Sequence, residues 1–476
     1  MAEWRKENRF DGRLVMLGFG SIGQGILPLL LRHIEMPPER IVVIKPHDHG
    51  LDVARELGAC TLVTTLDKDN HRDVLQRHLG RGDFLLNLCV DVSSTALIEL
   101  CQQIGALYLD TCIEPWEGDY LDTSKPLAER TNYALRESAL ALRRPGGDPG
   151  PTVVLTHGAN PGLVSHFVKQ ALMNLAHDTA PQLVNGTAPC SRLEWARLAQ
   201  RLGIKVIHIA ERDTQICTEH KKPGEFINTW SADGFVDEGT QPAELGWGSH
   251  EKHFPPDGAR HEKGCRAAIY LQRPGAGTRV RSWAPLAGPY HGFLVTHAES
   301  ISIADHLTVG DPARPEYRPT VHYAYHPCDD AVLSLHELAG RNWHIQDKKR
   351  VLKDDITAGR DELGVLLMGH VRGAYWYGSQ LTIEQTRALC PHNSATSLQV
   401  TAPAMAAAIW AMKNPQRGVV EPDDMPFDEI LRICMPYLGD VVGIYSDWTP
   451  LAGRGWLFDE DVDATDPWQF KNFRVD

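Results

Sequence analysis

Between Asn228 and Glu238 the chain reads NTWSADGFVDE: one tryptophan, three carboxylates and no basic residue. A π face and carboxylates both attract positive charge, so Trp230 among these acids is a pattern for holding a cation. The competing reading is a turn whose tryptophan is tucked into a core, the commoner fate of an isolated tryptophan. A second chemical pattern lies near the start, where MLGFGSIGQG places Gly18, Gly20 and Gly23 as G-x-G-x-x-G. Gly18 permits a tight turn, Gly20 lets the backbone approach a pyrophosphate, and Gly23 lets helix and strand pack closely. The free N–H groups at the start of the following helix, around Ser21 and Ile22, face the phosphates. The acid expected after the second strand is replaced by Lys45 in VVIKPHDH, with Asp48 close behind. An acid there binds a ribose hydroxyl, whereas a lysine suits a 2′-phosphate. NAD is the expected cofactor, with NADP as the alternative.

These groups need elements to hold them. Strand patterns at 13–17, 41–44, 60–63, 84–90, 107–110 and 151–156 alternate with helical patterns at 22–34, 70–79, 95–104 and 128–143. Strands separated by helices predict a doubly wound parallel α/β sheet of the Rossmann type. NLCVDVSS then puts Asp91, Ser93 and Ser94 at a carboxyl edge, where ligands of such sheets bind, and DTCIEPW does the same for Asp110, Glu114 and Trp116. After about residue 160 the pattern changes to a helix at 161–175 followed by isolated strand-like runs such as KVIHIAE, AIYL, GFLVTH and VHYAYH. These predict a second, α+β domain on a mixed sheet. A clear helix spans 396–412.

Bulk properties narrow the function. The 476 residues suggest two or three domains, and 42% apolar residues are enough for ordinary cores. A net charge of −13 disfavours nucleic acid and mildly favours cationic partners. No apolar run is long enough to span a membrane, and the charged start MAEWRKENRF lacks the apolar region of a signal peptide. The ten cysteines never form a C-x-x-C pair. They read as reduced thiols of a cytoplasmic protein, and no metal site is expected.

The motifs GFGSIGQG, NLCVDVSS, GANPGLVSHFVKQAL, IHIAERDTQ, NTWSADGFVDEG, LVTHAESISIADHLTV and HYAYHPCDDAVLSLHE resemble those of the bacterial homospermidine synthases, and the resemblance runs over nearly the whole chain. It implies a saccharopine dehydrogenase-like design: a nucleotide domain at 1–157 with a C-terminal return at 386–476, and a substrate and catalytic domain at 158–385. It implies aminobutyl transfer between two putrescines, with bound NAD reduced and reoxidised in each cycle, and a homodimer. It places Trp230 against a cationic intermediate, with Glu238 and Glu211 as partners of the inner amine. Glu114, Asn160 and His297 resemble further pocket residues, and Asp361 an acid on the pocket's outer side. Asp91 is expected to serve substrate or cofactor, with Ser93 and Asp110 on the cofactor side.

Read from the residues alone, several of these have second roles. Glu211 at a strand end could form a surface ion pair with Arg212. Asn160 before Pro161 suits a helix N-cap. His297 suits proton movement near neutral pH or a buried hydrogen-bonded role. A dehydrogenase of amino-acid-like substrates is the competing function, and it predicts arginines around the site.

Overall fold

The runs LVML, FLLN and LYLD are apolar on both faces, and in the computed structural model the strands they form are buried throughout. Strands of this kind belong to a parallel sheet covered on both sides. The structure describes residues 4–146, 148–184 and 186–475. Seven strands make the first sheet, in the order Cys60–Val63, Ile41–Lys45, Leu14–Leu17, Phe84–Asn87, Leu107–Asp110, Val153–Val154 and Val419–Val420. All its pairings are parallel. The strand of this sheet that comes first in sequence, Leu14–Leu17, therefore lies inside it, and the direction of winding reverses between Leu14–Leu17 and Phe84–Asn87. That reversal opens a crevice at the carboxyl edge, directly above Gly18.

The second sheet has eleven strands and mixed polarity. Its centre is Val206–Asp213, parallel to Thr320–His326 on one side and antiparallel to Arg360–His370 on the other. The long hairpin of Arg360–His370 and Gly373–Thr382 was not foreseen as strands. Gly364 and Gly378 interrupt its alternation, and they face each other across the pair. The helix Ala298–His306 was also missed, because every residue of it is buried and it shows no polar stripe to mark a period.

Two local expectations move. The helix read at 128–143 is shorter, Asn132–Leu140, capped by Thr131, and the one read from 161 begins at Leu163. Asn160 is thus not its N-cap; Gly162 is. The end of the chain divides between the two sheets. Helix Ala395–Lys413 packs along Ser21–His33, and Val419–Val420 extends the first sheet. Asp440–Ser446 and Arg474–Val475 instead pair with strands of the second sheet. The return at 386–476 therefore reaches the nucleotide domain only through its first part. Among the described residues, no helix is long and apolar enough to cross a membrane.

Candidate active site

The glycine turn is built as its spacing requires. Gly18 has φ +80°, and a Cβ there would lie 2.6 Å from the Leu88 carbonyl oxygen. Around Gly20 a Cβ would meet no atom within 4 Å, so this side of the turn is open. Gly20 is also the N-cap of helix Ser21–His33 and offers no side-chain cap, leaving the first N–H groups of that helix for an anion. These features fit a dinucleotide pyrophosphate.

The crevice beside this turn continues into a cavity of about 130 Å³. Set against the roughly 30 Å³ that a water occupies in the liquid, this suits a small molecule. Both domains build its wall. Ile22, the Leu88–Val90 backbone turn, Cys112, Glu114 and Val400 come from one side. Asn160, Glu211, Trp230, Glu238, His297 and Tyr323 come from the other.

Glu211 projects from the central strand of the second sheet and is 2% exposed. It accepts hydrogen bonds from Asn160 Nδ2 at 3.0 Å and from the Tyr323 hydroxyl. It makes no ion pair with Arg212, which instead meets Asp329. Burial pushes the Glu211 carboxyl up to about 7, with Asp213 adding to the effect and Tyr323 and Asn160 opposing it. Glu114 is buried likewise and is lifted by desolvation to about 8; its Oε1 accepts the Cys112 thiol at 3.0 Å. His297 lies between two acids, with Nε2 3.0 Å from Glu238 and Nδ1 3.2 Å from Glu299. Burial alone would lower its pKa, but Glu299 and Glu238 outweigh it and hold the ring well above the ordinary range. The two flanking carboxylates thus favour the protonated ring.

Trp230 stands between strand Glu225–Asn228 and helix Ala232–Thr240. The NTWSADGFVDE segment is thus a cap and a helix: Ser231 caps it through Gly234 N, which brings Glu238 round to the cavity. The Trp230 carbonyl accepts the Ser21 hydroxyl from the nucleotide helix. Its half-buried ring rests against Phe235, centroid to centroid 5.8 Å.

Several sequence-predicted residues stand elsewhere. Asp361 is not on the outer side: it is fully buried behind Glu211. Burial, then Glu211 and Asp213, push its carboxyl well up, because so many acids in one dry space cannot all be charged. Asp110 is also fully buried, and its oxygens accept Thr156 N at 2.6 Å and Tyr108 Oη at 2.8 Å. It shapes the carboxyl edge from below and has no free face for a cofactor. Ser93 caps helix Ser94–Ile104. Asp91 is exposed on the turn after Phe84–Asn87, in a left-handed conformation with φ +66°. Lys45 does not face a phosphate: its Nζ donates to the His49 carbonyl at 2.7 Å and toward that of Phe19 at 3.4 Å, at 7% exposure. Asp48 is paired with Arg55.

Tyr323, Glu299 and Asp237 escaped the sequence reading. Glu299 stands two places after His297 in THAES, a spacing that offered the clue. Tyr323 alternates inward with Tyr325 in HYAYH, and their rings stack at 5.1 Å. Asp237 lines a smaller chamber next to Glu114 and Glu238, and burial lifts it to about 7.

A wound parallel sheet with an open glycine turn, joined to an acidic and aromatic chamber, defines a two-domain protein of the dinucleotide-binding α/β class. Residues 14–154 match the saccharopine dehydrogenase NADP binding domain, and 158–444 the saccharopine dehydrogenase C-terminal domain. The chain is 53% identical to homospermidine synthase of Blastochloris viridis over 100% of both chains. It is 48% identical to that of Mesorhizobium japonicum, covering 99% of this chain and 98% of the relative. The crystal structure of a homospermidine synthase from Legionella pneumophila in complex with NAD superimposes with a TM-score of 0.91, at 48% identity over 99% of each chain. The chain belongs to the homospermidine synthase family.

Proposed function

We propose that the chain joins two putrescines to homospermidine and ammonia by NAD-dependent aminobutyl transfer. The observation that carries this is the lining of the cavity: Glu114, Glu211, Glu238 and Trp230 face it, and among the described lining residues there is no lysine or arginine. An amino-acid carboxylate would call for arginine, so the saccharopine-type alternative is disfavoured. A diamine has the complementary charge.

Gly18, Gly20, Ser21, Ile22 and Gly23 would hold the NAD pyrophosphate at the helix start. When bound, the nicotinamide accepts a hydride from the amine-bearing carbon and returns it later in the same cycle. The protein's groups do the rest. Glu238, beside His297, holds one ammonium, and the lifted carboxyls of Glu114 and Asp237 are drawn toward their charged form by the ammonium's approach. Glu211 binds the reacting amine and, with a carboxyl near 7, takes the proton the amine must lose before oxidation. The imine so formed gains the second putrescine's amine and releases ammonia, and the new imine is reduced to homospermidine. The Trp230 face stabilises these cationic intermediates without adding to their electrophilic carbon. Asn160 and Tyr323 fix the Glu211 carboxylate. Asp361 lies buried beneath it, not on a surface that meets substrate.

We also infer a cytoplasmic homodimer. The ten free cysteines support a reducing compartment, and the family resemblance supports the dimer. Light scattering reads the latter directly. The function is tested by incubating the chain with putrescine and substoichiometric NAD and weighing the product. Homospermidine formed over many turnovers per NAD is expected; NADH accumulating in proportion to putrescine consumed overturns the proposal.

A further inference from the structure

Away from this cavity, three metal-type ligands from two distant segments meet. Strand Ile216–Cys217 supplies Cys217, the turn after it supplies His220, and the first turn of helix Asp329–Gly340 supplies Asp330. Cys217 Sγ, a ring nitrogen of His220 and a carboxylate oxygen of Asp330 all lie within 4.8 Å of one another. Asp330 Oδ2 is 3.1 Å from His220 Nδ1 and 3.4 Å from Cys217 Sγ. Tetrahedral zinc bonds put neighbouring ligands about 3.3–3.8 Å apart, so both separations from Asp330 Oδ2 are close to this geometry. The other oxygen, Asp330 Oδ1, accepts Lys221 N at 2.7 Å, which turns Oδ2 toward the cysteine and histidine. Cys217 and Asp330 are buried, whereas the His220 ring is 77% exposed, so the cluster opens to solvent on one side.

We propose that Cys217, His220 and Asp330 form a binding site for a zinc-class divalent ion, with water completing the fourth position. The thiol now donates to the Glu219 carbonyl at 3.0 Å and toward Asp330. Binding replaces the S–H bond by a sulfur–metal bond and releases that proton to solvent, while His220 binds as neutral imidazole. The nearby cations do not oppose an ion with their full charge. Arg350 is paired with Glu225 at 2.9 Å and Asp355 at 2.6 Å, Lys222 with Glu219 at 3.2 Å, and Lys221 with Glu337. The site has a structural setting. Two residues before Cys217, Gln215 braces Asp213 and accepts Ala395 N; a few residues after His220, strand Glu225–Asn228 leads to Trp230. A bound ion ties this segment to helix Asp329–Gly340, at a distance from the hydride chemistry and independent of the proposed reaction.

Cobalt(II) is the probe, because a thiolate ligand gives it a charge-transfer absorption that oxygen and nitrogen ligands do not. The full chain is expected to bind one equivalent with this band, and zinc should displace it. C217S should abolish the band. H220A, at an exposed position that does not threaten folding, should weaken cobalt binding by about tenfold or more. A C60S/C190S double variant, removing the two exposed thiols, should leave the band intact. Absence of the band, its survival in C217S, or its loss in C60S/C190S overturns the site.

Discussion

Glu211→Gln separates what Glu211 does for the reaction from what it costs the fold. Burial holds its carboxyl at about 7 against an ordinary 4.5. A tenfold change in proton affinity is worth about 1.36 kcal/mol, so the charged form above pH 7 costs the free chain about 3 kcal/mol. The sign follows from proton counting. Between pH 4.5 and about 7 the folded chain binds more protons at this site than the unfolded chain, so its stability falls as pH rises through that window. Glutamine cannot titrate and lacks the slope. Its uncharged carbonyl can still accept from Asn160 and Tyr323, which meet one and the same Glu211 oxygen, but more weakly, a loss of about 1 kcal/mol. The variant should therefore be more stable than the parent at pH 8, by about 2 kcal/mol, and no more stable at pH 4.5. Activity should go the other way. A carboxylate and an ammonium about 4 Å apart attract by about 4 kcal/mol at an effective dielectric of 20, so kcat/KM should fall by roughly a hundredfold to a thousandfold. Urea unfolding from pH 4.5 to 8, beside rates of homospermidine formation, measures both. A variant less stable than its parent at pH 8, or one that keeps its kcat/KM, refutes the reasoning.

Trp230→Leu should lower single-turnover hydride transfer by roughly 30-fold, the scale of a desolvated cation–π contact of about 2 kcal/mol, while Trp230→Phe falls between the two. Equal rates for Phe and Leu would return the ring to a packing role. Gly18→Ala should lower the melting temperature of the NAD-free chain, because φ is +80° and the Leu88 carbonyl leaves no room. Gly20→Ala should leave that temperature unchanged and raise KM for NAD at least about tenfold, since only a ligand occupies the space beside it; equal effects of the two substitutions on stability would contradict this. Lys45→Met should destabilise the chain by about 1–3 kcal/mol, because the His49 carbonyl loses its donor while that of Phe19 keeps Gln24 Nε2, with no change in the NAD to NADP preference. A selective loss of NADP binding would show that the lysine does meet a phosphate.

The nucleotide half was legible because its signals are local. A buried strand, three spaced glycines and an apolar-faced helix fall within one stretch, and each residue's role follows from its immediate neighbours. The acids of the cavity were legible as a composition of charge, but depth was not. Asp110 read as a ligand because a carboxylate at a strand end gives no sign of whether another layer covers it, and the resemblance that put Asp361 on the pocket's outer side carries no depth either. Lys45 misled for a related reason: the carbonyls that absorb its ammonium belong to turns whose shape only the folded chain defines. The metal-type cluster was invisible since Asp330 is 110 residues from His220 and no spacing rule joins them.

The hydroxyl of Ser21 ends on the carbonyl of Trp230. One bond therefore joins the first residue of the phosphate-facing helix to the tryptophan of the amine chamber. By whatever factor the dinucleotide changes the grip on a diamine, thermodynamic reciprocity has the diamine change the grip on the dinucleotide by the same factor. A catalyst that must carry the same hydride out and back would gain wherever that factor exceeds one, because the nucleotide would then be held hardest while the half-made amine is still in place.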